Sequence, residues 1–172
     1  HYIVLSIIKY NFLMTQVLKK SDNLQILIST KGKNDLSFLD KMFKNCKPMD
    51  YSIVVVDQSE YEKDLSTISD KFDIKYYKIQ ANGLSNSRNF AISKSSGSIC
   101  LLCDDDVIYE KDFSEIIINS FDQNDSDVIT YYAKNDNGSL FKNYPKLINH
   151  NYKSISYVNS FLIAFKLSLI HI

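Results

Sequence analysis

Glycine is scarce, with four in 172 residues, and that scarcity excludes the nucleotide-binding loops built from it. Gly32 stands in Thr30-Lys31-Gly32-Lys33 with no second glycine at P-loop spacing and no Gly-Lys-Ser/Thr, and the Gly-x-Gly-x-x-Gly of dinucleotide folds is absent. Cysteine is equally sparse. Cys46, Cys100 and Cys103 are too few and too unevenly spaced for a disulfide framework, which points to a reducing compartment. An excess of charge is also missing: twenty basic and twenty acidic residues cancel. No global field therefore draws in nucleic acid or an anionic surface, and any phosphate recognition has to be local. Long hydrophobic runs are lacking too. Residues 1–18 are rich in Ile, Leu, Val, Phe and Tyr, but Lys9, Asn11 and Gln16 interrupt them. They fall short of the ~20 apolar residues of a membrane span, and no small-residue cleavage site follows. Residues 1–22 are expected to form an accessory segment packed on the main domain, 23–172, or on a second copy of it. Arginine is nearly absent, so Arg88, alone among nineteen lysines, stands out.

From residue 24 the chain alternates short β-branched runs with amphipathic stretches, the signature of an α/β sheet. Residues 24–29 read as a first strand. Residues 35–45 read as a helix with Leu36, Leu39, Met42 and Phe43 on one face. Pro48 breaks the chain before a strand over 52–56 that delivers Asp57 at its end. A helix over 61–72 and a strand over 74–79 follow, then a loop over 82–89 that runs into a helix over 90–95 closed by Gly97. The strand over 98–103 leads straight into Asp104, Asp105 and Asp106. In that strand Cys100 and Cys103, three apart, point to opposite faces, so they read as core cysteines rather than a redox or zinc pair. A helix over 112–121, a strand over 127–133 within a hairpin turned at Asn137-Gly138, and a last strand over 157–165 leading into a short helix complete the pattern.

In an open α/β sheet, ligands bind outside the carboxyl ends of the strands. The polar residues there are Ser29 and Thr30, Asp57, and the aspartate triplet. Three adjacent carboxylates with no basic neighbour in sequence call for a cation. A divalent ion shared with substrate phosphates, Mg²⁺ or Mn²⁺ in hard-oxygen coordination, supplies it. A solvated acidic turn or a helix cap is the competing reading for the triplet, as a turn or cap is for Asp57. Arg88 offers a planar fork of donors suited to phosphate or carboxylate.

These residues resemble a known family. Ser29-Thr30 after a strand, then VVVDQS with Asp57, then NGLSNSRNFAISKSSGSICLLCDDDVIY are similar to the nucleotide-binding half of family 2 glycosyltransferases. Asn82, Gly83, Ser85, Arg88, Asn89, Gly97, Asp104 and Asp106 stand in the order of the family's motif. The closest flavour is that of bacterial surface-polysaccharide sugar transferases.

The resemblance implies a GT-A fold: a Rossmann-like, mostly parallel sheet flanked by helices, with a hairpin after the triplet. It implies a metal-dependent, inverting transfer from a UDP-sugar or related donor to a glycan or lipid-linked acceptor. Asp57 would read the base, and Ser29 and Thr30 would line its pocket. Asp105 would contact the ribose or donor sugar, Asp106 with Asp104 would meet the metal on the diphosphate, and Arg88 would lie near the nucleotide. The acceptor-side acidic base has no counterpart here, since Glu110 and Glu115 come too early, so the chain is expected to be the N-terminal portion of an enzyme. The expected setting is the cytoplasm or the inner face of the membrane, with self-association through the apolar terminal segments. The rival readings are a nucleotidyltransferase and a non-catalytic binding or assembly module.

Overall fold

The computed structural model describes residues 23–47, 50–61, 71–143, 149–151, 153–154, 156 and 158–170. The accessory segment expected over 1–22 and most of the helix expected over 61–72 lie outside them. The described elements run β1 (Leu24–Thr30), α1 (Phe38–Met42), β2 (Ser52–Asp57), β3 (Asp73–Lys78), α2 (Leu84–Lys94), β4 (Ile99–Asp104), α3 (Phe113–Gln123), β5 (Val128–Thr130) and β6 (Ile163–Lys166), with a closing 3-10 turn at Leu167–Leu169. Among the described residues no helix is long and apolar enough to cross a membrane.

The six strands form one sheet in the order β3-β2-β1-β4-β6-β5. β1 is parallel to β2 and to β4, β2 is parallel to β3, and β6 runs antiparallel to both β4 and β5. The expected α/β, mostly parallel sheet is therefore present, and β6 is the exception that makes it mixed. β1 and β2 are buried along nearly their full length, as strands covered on both faces must be, which explains their unbroken apolar runs.

One face packs Leu39 and Met42 of α1 and Phe113, Ile117 and Phe121 of α3 against Ile26, Ile28, Ile53, Val55 and Cys103. The other packs Ala91, Phe90 and Ile92 of α2 against Leu27, Val54, Val56 and Cys100. Cys100 and Cys103 thus lie on opposite faces, as the strand period requires.

Several boundaries differ from the sequence reading. α2 begins at Leu84, not near residue 90. Gly83, at φ 107°, is its N-cap, and the polar residues that read as loop instead bond to their own backbone: Asn86 Nδ2 donates to Asn82 O at 2.7 Å and Ser87 Oγ to Leu84 O at 3.0 Å. Gly97 does not cap α2, whose C-cap is Ser95 in extended conformation. A Cβ at Gly97 would stand 2.8 Å from Gln25 Cβ, so this glycine lets the entry to β4 pass close against β1. α1 keeps five residues of the expected helix, with Leu36, Leu39, Met42 and Phe43 all buried. β5 keeps three residues of the expected strand. The turn at Asn137-Gly138 is present, with Gly138 at φ 81°, Lys134 bridging Leu140, and Asn135 N–H donating to Ser139 O at 2.8 Å.

Candidate functional site

The sheet register brings the polar strand ends together. Thr30 stands opposite Asp57 across β1–β2, and Ser29 opposite Asp104 across β1–β4. With strands ~4.8 Å apart, Asp57 and Asp104 flank the end of β1 at roughly 10 Å from each other. All the residues singled out in sequence, Ser29, Thr30, Asp57, Arg88, Asp104, Asp105 and Asp106, gather at this edge, Arg88 through its reach to Asp104.

Asp57 is fully buried. Its Oδ1 accepts the Ser59 N–H at 2.8 Å and its Oδ2 the Tyr76 hydroxyl at 2.8 Å, so the carboxylate is oriented from both sides before any ligand arrives. Ser59 Oγ in turn accepts the Gly32 N–H at 2.8 Å, tying the loop after β2 to the loop after β1. Gly32, at φ 76°, shapes this second loop and is part of no phosphate-binding glycine pattern.

The aspartate triplet is not without basic neighbours in space. Arg88 Nη2 donates to Asp104 Oδ1 at 2.9 Å, and Lys33 Nζ lies 3.5 Å from Asp105 Oδ1. Thr30 Oγ1 also donates to Asp105 Oδ2, at 2.5 Å. Burial pushes the Asp104 carboxyl above its ordinary range; the Arg88 charge and hydrogen bond oppose that push, and Asp106 and Asp105 reinforce it. Arg88, with its side chain 12% exposed, carries a buried Nε with no hydrogen-bond partner among the described residues. Its guanidinium therefore serves the triplet first. Asp106 is exposed and makes no side-chain hydrogen bond or ion pair among the described residues.

A divalent ion fits this donor set in one way only. No group of three or more His, Cys, Asp or Glu side chains among the described residues is arranged to hold a metal ion by itself. What the site offers is one exposed carboxylate, Asp106, beside Asp104, with a second oxygen on Asp104 outside the Arg88 bond. One or two carboxylates completed by substrate phosphates is the habit of Mg²⁺ and Mn²⁺.

Lys33, Ser59, Tyr76 and Ser87 have no site role in the sequence reading. Lys33 had a signal: loops that follow neighbouring strands of a parallel sheet share an edge, so a lysine three residues after β1 lies within reach of a triplet after β4. Ser87, buried, shares a hydrogen bond with Ser29 Oγ at 2.8 Å. Its spacing from Ala91, four residues on, marks the small-residue face by which α2 sits close on β1.

The sequence model of "Glycosyl transferase family 2" matches residues 26–170. The chain belongs to glycosyl transferase family 2. A search of the curated proteins found no match. Among solved structures, S. aureus TarS residues 1–349 aligns with a TM-score of 0.60 at 20% identity, over 87% of this chain and 48% of that one. The same TarS fragment in complex with UDP-GlcNAc aligns at 0.58 and 21%, over 87% and 46%. The mannosyltransferase PcManGT from Pyrobaculum calidifontis, in complex with GDP-Man and Mn²⁺, aligns at 0.56 and 11%, over 88% and 46%. These likenesses establish the GT-A fold, and the chain spans about half the length of the solved structures it matches.

Proposed function

We propose that this chain binds a nucleoside-diphosphate sugar at the ends of β1, β2 and β4 and forms the donor-binding part, over 23–172, of an inverting glycosyltransferase acting on a glycan or lipid-linked acceptor. The observation that carries the reading is the register. It sets Ser29 and Thr30 between Asp57 and Asp104 at a carboxyl edge, inside a segment matched by the family. TarS bound to UDP-GlcNAc and PcManGT bound to GDP-Man and Mn²⁺ support a nucleotide-sugar donor and a divalent ion, with UDP the first donor nucleotide to try.

Each side chain has a task in this reading. Asp57, held by Tyr76 and the Ser59 N–H, accepts a hydrogen bond from the base, and Ser29 and Thr30 line the pocket beside it. Asp105, fixed by Thr30 and Lys33, presents its carboxylate to the ribose or donor sugar. Asp106 and Asp104 are the residues that would hold Mn²⁺ or Mg²⁺, and Arg88 orients Asp104 and opposes the upward push of burial on its carboxyl. The chemistry a bound divalent ion supplies here is neutralisation of the charge on the departing nucleoside diphosphate. A carboxylate base deprotonates the acceptor hydroxyl in line with the sugar C1; no described residue is assigned that role.

The test is titration calorimetry of UDP and GDP, with Mn²⁺, with Mg²⁺ and in EDTA. Binding is expected with either metal and lost in EDTA, and Asp106→Asn is expected to weaken the metal-dependent component most. Equal affinity in EDTA, or unchanged binding by Asp106→Asn, overturns the site assignment.

A further inference from the structure

Gln58 follows Asp57 at the end of β2, and nothing in the proposed donor chemistry uses it. Its side-chain amide nonetheless donates to two backbone carbonyls, those of Ala81 and Gly83, the second at 3.1 Å. Its own backbone N–H donates to Thr30 O at 3.0 Å, so the residue is anchored in the sheet. A buried side chain thereby grips a loop, residues 80–83, that is exposed throughout.

The grip falls where α2 starts. Gly83 is the N-cap of α2 at φ 107°, and its carbonyl also accepts the Asn86 N–H at 3.0 Å and the Ser87 N–H at 3.3 Å. The first turn of α2 thus hangs from the carbonyl that Gln58 holds. Arg88, at the end of that turn, reaches Asp104 at 2.9 Å. Gly83 brings no side chain to restrain this junction, and the other side-chain ties from the neighbouring strand ends among the described residues are Lys31 Nζ donating to Asn82 Oδ1 at 2.9 Å and Ser87 Oγ donating to Ser29 Oγ at 2.8 Å.

We propose that Gln58 is a positioning residue of the donor site. By clamping the carbonyls of Ala81 and Gly83 it sets the start of α2, and through α2 the guanidinium of Arg88 against Asp104. The loop residues are exposed, so water is expected to replace the amide when it is removed, with little loss of stability. What is lost is the fixed approach of Arg88, and with it the orientation of Asp104, one of the two carboxylates proposed to hold the metal ion. The link to nucleotide rests on the function proposed above; the link to Arg88 does not.

The test exploits the single arginine. In the ¹⁵N-labelled full chain without metal, the arginine Nε–H gives one side-chain resonance, and that resonance is Arg88. It is expected to be shifted from the free-arginine position and slow to exchange, as is the Gln58 amide. Gln58→Met keeps the length and removes both donors. Its arginine resonance is expected to move toward the free position and exchange faster, with Mn²⁺-dependent UDP affinity reduced about tenfold, as for other residues that orient metal ligands, and the unfolding midpoint nearly unchanged. An unmoved Arg88 resonance in Gln58→Met overturns the proposal, and so does an unchanged UDP affinity. If Gln58→Met does not fold, the wild-type chain decides: Gln58 amide protons that exchange as fast as those of free glutamine overturn the clamp. A wild-type chain that binds no UDP refutes the donor reading, and the resonances of Arg88 and Gln58 then judge the clamp alone.

Discussion

The two halves of the sheet are built differently. β1, β2 and β4 are buried nearly end to end and packed on both faces, whereas β5 is three residues long with Val128 46% exposed. In the first half the strand ends carry Ser29, Thr30, Asp57 and Asp104, and these are held by one another or by α2 and the adjoining loops. In the second, a hairpin presents Leu140 and Phe141 to solvent. A rigid buried strand aims the residue at its end within tight limits, and an edge strand paired on one side does not. The half that is costliest to perturb is therefore the half that holds the candidate site.

The sharpest way to break this comparison is to cut the same kind of contact in each half. Leu27→Ala, fully buried in β1, is expected to cost about 2–5 kcal/mol. Val128→Ala in β5 is expected to stay within about 1 kcal/mol, since surface changes rarely cost more. Urea denaturation of both variants measures the difference, and equal losses mean that the two halves share one level of packing. Next in size is Asp57→Ala. It removes the partner of the Ser59 N–H and of the Tyr76 hydroxyl together with the proposed acceptor for the base, so about 1–3 kcal/mol of UDP affinity is expected to go, along with part of the stability. A folded Asp57→Ala that binds UDP as wild type does leaves Asp57 a purely structural turn residue.

Glycines sharpen the same contrast. Gly97→Ala sets a methyl 2.8 Å from Gln25 Cβ and 3.2 Å from its backbone nitrogen, and overpacking of that kind costs about 1–3 kcal/mol. Gly138→Ala meets nothing within 4 Å; its cost, about 1 kcal/mol, comes from the positive φ alone. Thermal unfolding of the pair separates a clash from a backbone preference. The smallest effect belongs to Tyr51→Phe. Among the described residues the buried Tyr51 hydroxyl has no hydrogen-bond partner, so its removal is expected to change stability by less than about 1 kcal/mol, or to raise it, because an unpaired buried polar group is a cost in itself. A loss of several kcal/mol would reveal a hidden partner for that oxygen.

The parts of the fold that were legible in the sequence are those where burial and period agree. Ile26, Ile28, Ile53 and Val55 read as strand interior because both faces of the sheet are covered, and Asp57 and Asp104 were found because polar residues abruptly end such runs. α2 is longer than its composition suggests because Ser85, Asn86 and Ser87 have loop character, and the tertiary contacts at its start, Ser87 with Ser29 and Gln58 with the carbonyls of Ala81 and Gly83, are invisible along the chain. Gly97 reads as a cap because glycine often follows a helix; its real constraint, Gln25 with its Cβ 2.8 Å from any added methyl, is far away in sequence. The compensation of the triplet by Arg88 and Lys33 was missed for the same reason. Charge balance is a property of space, and the sequence shows only neighbours along the chain.

The strand order also sets a timetable. β6 lies between β4 and β5, so β5 has no strand to pair with until the chain has continued well past it and returned. The four parallel strands need nothing beyond Asp104 to complete their ladder. A growing chain therefore has its donor edge assembled while β5 and the hairpin after it still wait for β6. Closing that long loop is the late, entropically costly event, and until it happens the outer edge of β4 is the exposed seam at which the chain is open to proteolysis or to pairing with another molecule.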